Sequence, residues 1–100
     1  MTKTEIPFNA WSKDKLRKGI KHSTFRYKQY GQPGDTFEAE GKTYIIIGFK
    51  TKTGEDLIRD DFKDEGAQSP EELEQVLNGI CRGKFNPKKI GIVHLFGEKP

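Results

Sequence analysis

The apolar positions of this chain change their spacing several times, and each change marks an element. Phe8, Trp11, Leu16 and Ile20 fall roughly on one helical stripe, while Lys13, Arg17 and Lys18 point elsewhere. Asn9 or Ser12 is placed to cap such a helix and Gly19 to end it, which predicts a helix over residues 10–19. From Ser23 to Gln29 the period drops to two, with Phe25 and Tyr27 on one face and Thr24, Arg26 and Lys28 on the other. Tyr30-Gly31-Gln32-Pro33-Gly34-Asp35 reads as a turn. Residues 36–40 and 42–50 then form a hairpin across Gly41. The run Tyr44-Ile45-Ile46-Ile47 marks the second of these strands as central, with Ile45 and Ile47 expected to face the core.

The second half reads as helices and a closing strand. Residues 55–62 form a short acidic helix with Leu57, Ile58 and Phe62 on its apolar side. Ser69-Pro70-Glu71-Glu72 is a strong helix start: a capping serine, proline at the first position and a glutamate three residues on. Leu73, Val76, Leu77 and Ile80 follow at helical spacing, and Gly83 is the stop. Residues 89–96 close the chain as a strand carrying Ile90, Ile92, Val93, Leu95 and Phe96. Helix, strand, hairpin, two helices, strand is an α+β order, and a small curved sheet or partial barrel with peripheral helices accommodates it.

Composition narrows the class. One hundred residues with 32% hydrophobic and 33% charged side chains suit one domain, residues 1–100, with a small core and an ionic surface. The single Cys81 cannot form an internal disulfide, and no apolar stretch is long enough to span a membrane. A cytoplasmic location without membrane partners is therefore expected.

The net charge of +3 hides a strong segregation. Residues 12–30 carry seven bases against Asp14, residues 53–76 carry nine acids against Arg59 and Lys63, and residues 81–89 add Arg82, Lys84, Lys88 and Lys89. Such runs are usually solvated faces. Two basic segments that meet in space, however, hold a polyanion.

The most informative segment is Gly19-Ile20-Lys21-His22-Ser23-Thr24-Phe25-Arg26. A helix stop turns directly into a strand, Thr24 and Arg26 share a strand face, and the Lys21 stem bends back over it. An amine, a hydroxyl and a guanidinium thus converge on a volume suited to an anionic or carbonyl-bearing ligand. Gly19, Lys21, Thr24 and Arg26 also reproduce the pattern G-x-K-x-x-T-x-R, and here the chain resembles the ASCH family of the PUA-like superfamily. Trp11 and Leu16 in the preceding helix, Gly34-Asp35, Glu65-Gly66 and the strand Val93-His94-Leu95-Phe96 extend that resemblance over residues 8–96.

The resemblance implies a PUA-like fold and RNA or a nucleoside as ligand. It also implies an activity found in small bacterial members, which remove the acetyl group from acetylcytidine. In that reading Lys21 is the base, Thr24 the nucleophile and Glu65 the acid that protonates the leaving amine. Asp64 is an alternative to Glu65, and Arg26 positions the substrate. Burial beside Arg26 and near Arg17 or Lys18 lowers the Lys21 pKa enough for such a role. Other relatives are single-strand ribonucleases or RNA-binding modules, which the signature alone does not separate.

For an RNA ligand, His22 flanks the signature and is able to stack on a base, and Arg17 and Lys18 supply positive charge. Arg82-Gly83-Lys84-Phe85-Asn86-Pro87-Lys88-Lys89 interleaves bases with an aromatic ring, so Arg82, Lys84 and Lys88 are candidates for phosphates and Phe85 for a base. The bland alternative places Phe85 in the core. No cofactor motif and no zinc ligand set is legible, since His22, His94 and Cys81 lack ligand spacing. Asp60, Asp61, Asp64 and Glu65 are either the solvated face of an acidic helix or, in a ribonuclease, ligands for a divalent ion.

Overall fold

The structure, a computed structural model, describes residues 2–100. Its elements are α1 (Ala10–Arg17), β1 (Ser23–Arg26), β2 (Thr36–Ala39), β3 (Lys42–Thr53), α2 (Gly54–Asp60), α3 (Phe62–Glu65), α4 (Pro70–Ile80) and β4 (Ile90–Glu98). The strands form one curved antiparallel sheet in the order β1-β4-β3-β2. None of the helices is long and apolar enough to cross a membrane among the described residues.

Local chemistry sets the boundaries. Asn9, not Ser12, caps α1, its side chain accepting from the Ser12 N–H at 2.8 Å. The helix stops two residues earlier than expected, so Ile20 lies beyond it and is 40% exposed. Ser69 caps α4 by accepting from the Glu72 N–H at 3.1 Å, and Glu72 reaches back to accept from the Gln68 N–H at 2.8 Å. The acidic segment is two short helices. The α2 helix ends at Asp60, and α3 closes on Gly66 in the left-handed region.

Two clusters make the core, and the central strand β4 serves both. Phe96 joins Ile6, Leu16, Phe37, Tyr44 and Ile46 in the first. Val93 joins Phe25, Leu57, Ala67, Leu73 and Leu77 in the second, with Trp11, Phe62 and Phe85 packed against it.

The sheet departs from the sequence reading at two places. Tyr44 and Ile46 face inward, whereas Ile47 is 66% exposed and Ile45 only half-buried. Three consecutive isoleucines carry no alternation, so packing decides: Tyr44 and Ile46 sit against Phe37 and Phe96, and a bulge between Ile46 and Gly48 throws Ile47 outward. The β1 strand also ends at Arg26, paired with Ile92 close to the start of β4. Phe25 stays in the core, its ring filling the space that a side chain at Gly91 would need. Tyr27 lies past the ladder and is 42% exposed.

Candidate functional site

A cavity of about 430 Å³ opens between α1, β1, the end of α3 and α4. Trp11, Phe8, Leu73, Val76, Leu77 and Ile80 supply its apolar walls. Lys21, Thr24, Arg26 and Glu65 supply its charged groups and a buried hydroxyl, with Asn9, Ser12 and Tyr27 also on its lining.

Each polar group arrives by a different route. Lys21 sits in the loop that follows Gly19 (φ 71°), and this loop is pinned to α3 because the His22 N–H donates to the Asp64 carbonyl at 2.6 Å. Thr24 and Arg26 project from β1. Glu65 ends α3, and Gly66 allows the chain to turn directly beneath α1. With φ 104°, Gly66 suits no other residue well, and a Cβ there would lie 2.9 Å from the Lys15 stem.

Lys21 and Glu65 are both 3% exposed. The Lys21 ammonium donates to the Glu65 carbonyl oxygen at 3.0 Å and lies 3.6 Å from its carboxylate. Ser23, fully buried, donates its hydroxyl to the other carboxylate oxygen at 2.7 Å. Burial pulls the Lys21 amine below its usual range; the Glu65 carboxylate opposes this and Arg26 reinforces it. Arg17 and Lys18, expected to share that effect, take no part in it.

Thr24 is buried and its Oγ1 accepts from Arg26 Nε at 3.2 Å. The Arg26 guanidinium also donates to the Pro7 carbonyl and rests 5.2 Å from the Phe8 ring centroid and 5.8 Å from that of Tyr30. Trp11 is fixed by its indole N–H, which donates to Glu72 at 2.9 Å, with the Lys15 and Lys21 ammoniums 5.4 and 5.8 Å from its ring.

The structure therefore brings Lys21, Thr24, Arg26 and Glu65 to one cavity and leaves Asp64 exposed outside it. None of the other proposed ligand contacts lines that cavity. His22 is exposed and borders a separate cavity of about 70 Å³ beside Gly19 and Phe96. Arg17 pairs with Glu40 and Asp14, and Lys18 pairs with Asp14 at 3.0 Å. Arg82, Lys84 and Lys88 are exposed, and their segment is fastened to α2 by the Glu55 N–H donating to the Pro87 carbonyl. Phe85 packs on the second cluster, its ring occupying the space above Gly54. Arg17 and Lys18 thus have different neighbours from the 82–88 side chains, and the two basic segments meet only where Lys89 lies 4.3 Å from the Tyr27 ring centroid.

The carboxylates of 60–65 do not form one cluster either. Asp61 is buried between Lys50 (3.1 Å) and Lys52 (2.9 Å), Asp60 faces Arg59, and Glu65 faces Lys21. His94 is also settled as structural. The Tyr30 N–H donates to its Nε2 at 2.9 Å, which leaves the ring proton on Nδ1, 3.2 Å from the Ile92 carbonyl.

Sequence reasoning missed Ser23, Tyr27 and Cys81, the last two of which also line the cavity. Ser23 was legible only as the first residue of a strand, and its hydroxyl acquires a role because α3 packs on β1.

No family model and no curated protein matches the chain. Two solved structures share its architecture. An ASCH domain from Lactobacillus crispatus JV V101 aligns with a TM-score of 0.66 at 12% identity, over 97% of this chain and 79% of that one. The hypothetical protein PH0355 aligns with a TM-score of 0.64 at 18% identity, over 99% of this chain and 100% of that one. At such identities the likeness speaks for the fold alone. This chain has an ASCH-type fold, an α+β, PUA-like curved sheet with peripheral helices.

Proposed function

We propose that this chain binds a nucleoside, free or as a single base of RNA, with the base inserted between Trp11 and the polar floor of Lys21, Thr24 and Glu65. One observation carries the reading. The buried polar groups converge on a cavity of about 430 Å³, sized for one heterocycle and its sugar. Apolar walls accept a flat ring, while Lys21, Thr24 and Glu65 supply donors and acceptors for its edge. The exposed lysines of 82–89 lie outside this volume, which favours recognition of one base over a strand laid along a groove. Calorimetric titration with ribonucleosides and with single-stranded ribo-oligonucleotides, at low and high salt, tests this. Nucleosides should bind with little salt dependence and lose affinity in Lys21→Ala. Steeply salt-dependent binding of oligonucleotides alone would replace the reading with a polymer-binding surface.

A second reading, hydrolysis of an acylated nucleoside, is favoured by the lowered pKa of Lys21. An amine that gives up its proton more readily is available as a base toward the Thr24 hydroxyl, with Glu65 as the acid for the leaving amine. Release of free cytidine from its acetylated form is the assay. Lys21→Ala and Thr24→Val should abolish it and Thr24→Ser should retain part of it. Absence of turnover by the wild-type chain removes the enzyme and keeps the binding reading.

A further inference from the structure

We infer that the cavity selects the phosphorylated form of its ligand, a nucleoside monophosphate over the nucleoside, and that Arg26 is the residue that reads the charge. The inference rests on the base-binding reading above and adds the ligand's charge to it. Three charged side chains line the cavity: Lys21, Arg26 and Glu65. Lys21 and Glu65 stand 3.6 Å apart as an ion pair, so their charges offset one another. Arg26 is the charge left over.

The groups that touch Arg26 are all neutral, and the one carboxylate whose field reaches it, Glu65, is already paired with Lys21. The touching groups are the Thr24 hydroxyl, the Pro7 carbonyl and the faces of the Phe8 and Tyr30 rings. No carboxylate pairs with it among the described residues. A cation partly withdrawn from water that shares its nearest carboxylate with a second cation is costly, and an anion from the ligand removes that cost. A neutral nucleoside leaves it in place. A phosphate meets the guanidinium with charge-assisted hydrogen bonds, and the planar fork of arginine suits it better than an ammonium does.

The mouth continues the same logic. Tyr27 lines the cavity and is partly exposed, and the Lys89 ammonium lies 4.3 Å from its ring centroid. A second cation therefore borders the exit.

The test is calorimetry on the whole chain with the common ribonucleosides, their 5′- and 3′-monophosphates, and ribose 5-phosphate and inorganic phosphate as arms without a base. At least one monophosphate should bind about tenfold or more tightly than its nucleoside, and more tightly than either base-free arm. That advantage should shrink as salt rises, should vanish in Arg26→Gln and should largely survive in Arg26→Lys, with folding checked by circular dichroism. The salt series uses the wild-type chain and needs no variant. Equal affinity for nucleoside and monophosphate, or an unchanged preference in folded Arg26→Gln, overturns the inference while base binding stands. Inorganic phosphate binding as tightly as the nucleotide overturns it as well. Binding of neither nucleosides nor nucleotides defeats the base-binding reading and this inference together.

Discussion

The two core clusters are built on opposite principles. The first is closed and aromatic: Phe37 stacks on Tyr44 with ring centroids 5.2 Å apart, and Phe96 stands edge-on to both. The second shares Phe25, Leu73 and Leu77 with the cavity and has Lys21, Thr24 and Glu65 buried beside it. Aromatic packing of the first kind stabilises without directional demands on solvent. Buried ions of the second kind seldom stabilise a protein relative to apolar residues of the same size. On the proposed reading this difference is functional: one half of the molecule holds the sheet together, and the other gives up stability to keep polar groups out of water.

This contrast predicts a hierarchy of effects. Phe37→Ala should be the most damaging single change, about 3–5 kcal/mol in urea denaturation, because an aromatic ring with three aromatic neighbours leaves a cavity. A loss below about 1 kcal/mol would mean that the first cluster is not the stabilising one. Lys21→Met should cost about 2–3 kcal/mol, since it strands the buried Glu65 without its ion-pair partner. Adding Glu65→Gln should recover most of that stability while ligand binding stays lost. If the double variant is no more stable than the single one, the pair serves stability after all.

A smaller effect comes from His94. Burial chiefly lowers its pKa below 6.5, with Arg26 adding to the shift and bonds to the backbone of Ile92 and Thr24 opposing it. The unfolded chain therefore takes up a proton near pH 6.5 that the folded chain resists, so this contribution is complete above that pH and is lost on acidification toward the folded value. We expect stability to fall as the pH drops below 6.5. His94→Gln should flatten that slope; the same slope in both proteins would assign it to other groups. Smaller still, Lys89→Gln should weaken nucleotide binding by about two- to threefold, as befits an exposed charge. Reversing Lys84 and Lys88 together should change it by less than about twofold, and a larger drop would return the 82–89 segment to the ligand site.

Much of this architecture was legible in the sequence because its causes are local. The Ser69-Pro70 start of α4, the Asn9 cap and the Gly19 stop are short-range chemistry, and the G-x-K-x-x-T-x-R spacing identified the fold type that the structural likeness supports. What escaped depended on partners far along the chain. The inward face of β3 was misread because Ile45-Ile46-Ile47 has no period and the bulge is fixed by Phe96 on another strand. Glu65 and Asp64 are equivalent as letters, and only the packing of α3 against β1 buries one and exposes the other. Ion-pair partners were hidden for a related reason. Arg17 and Lys18 look free in the sequence, but the turn between β2 and β3 and the helix itself supply Glu40 and Asp14 to neutralise them.

The placement of Trp11 has a practical consequence. It is the only tryptophan in the chain, its indole forms one wall of the cavity, and its N–H is held by Glu72. Emission from this one fluorophore therefore comes from the cavity and nowhere else. A base stacked on the indole should quench it, and a ligand that only excludes water should shift its maximum to the blue. Contact with the exposed 82–89 segment should do neither. Occupancy is thus readable without a label, and the direction of the spectral change separates a stacked ring from a group bound at the rim.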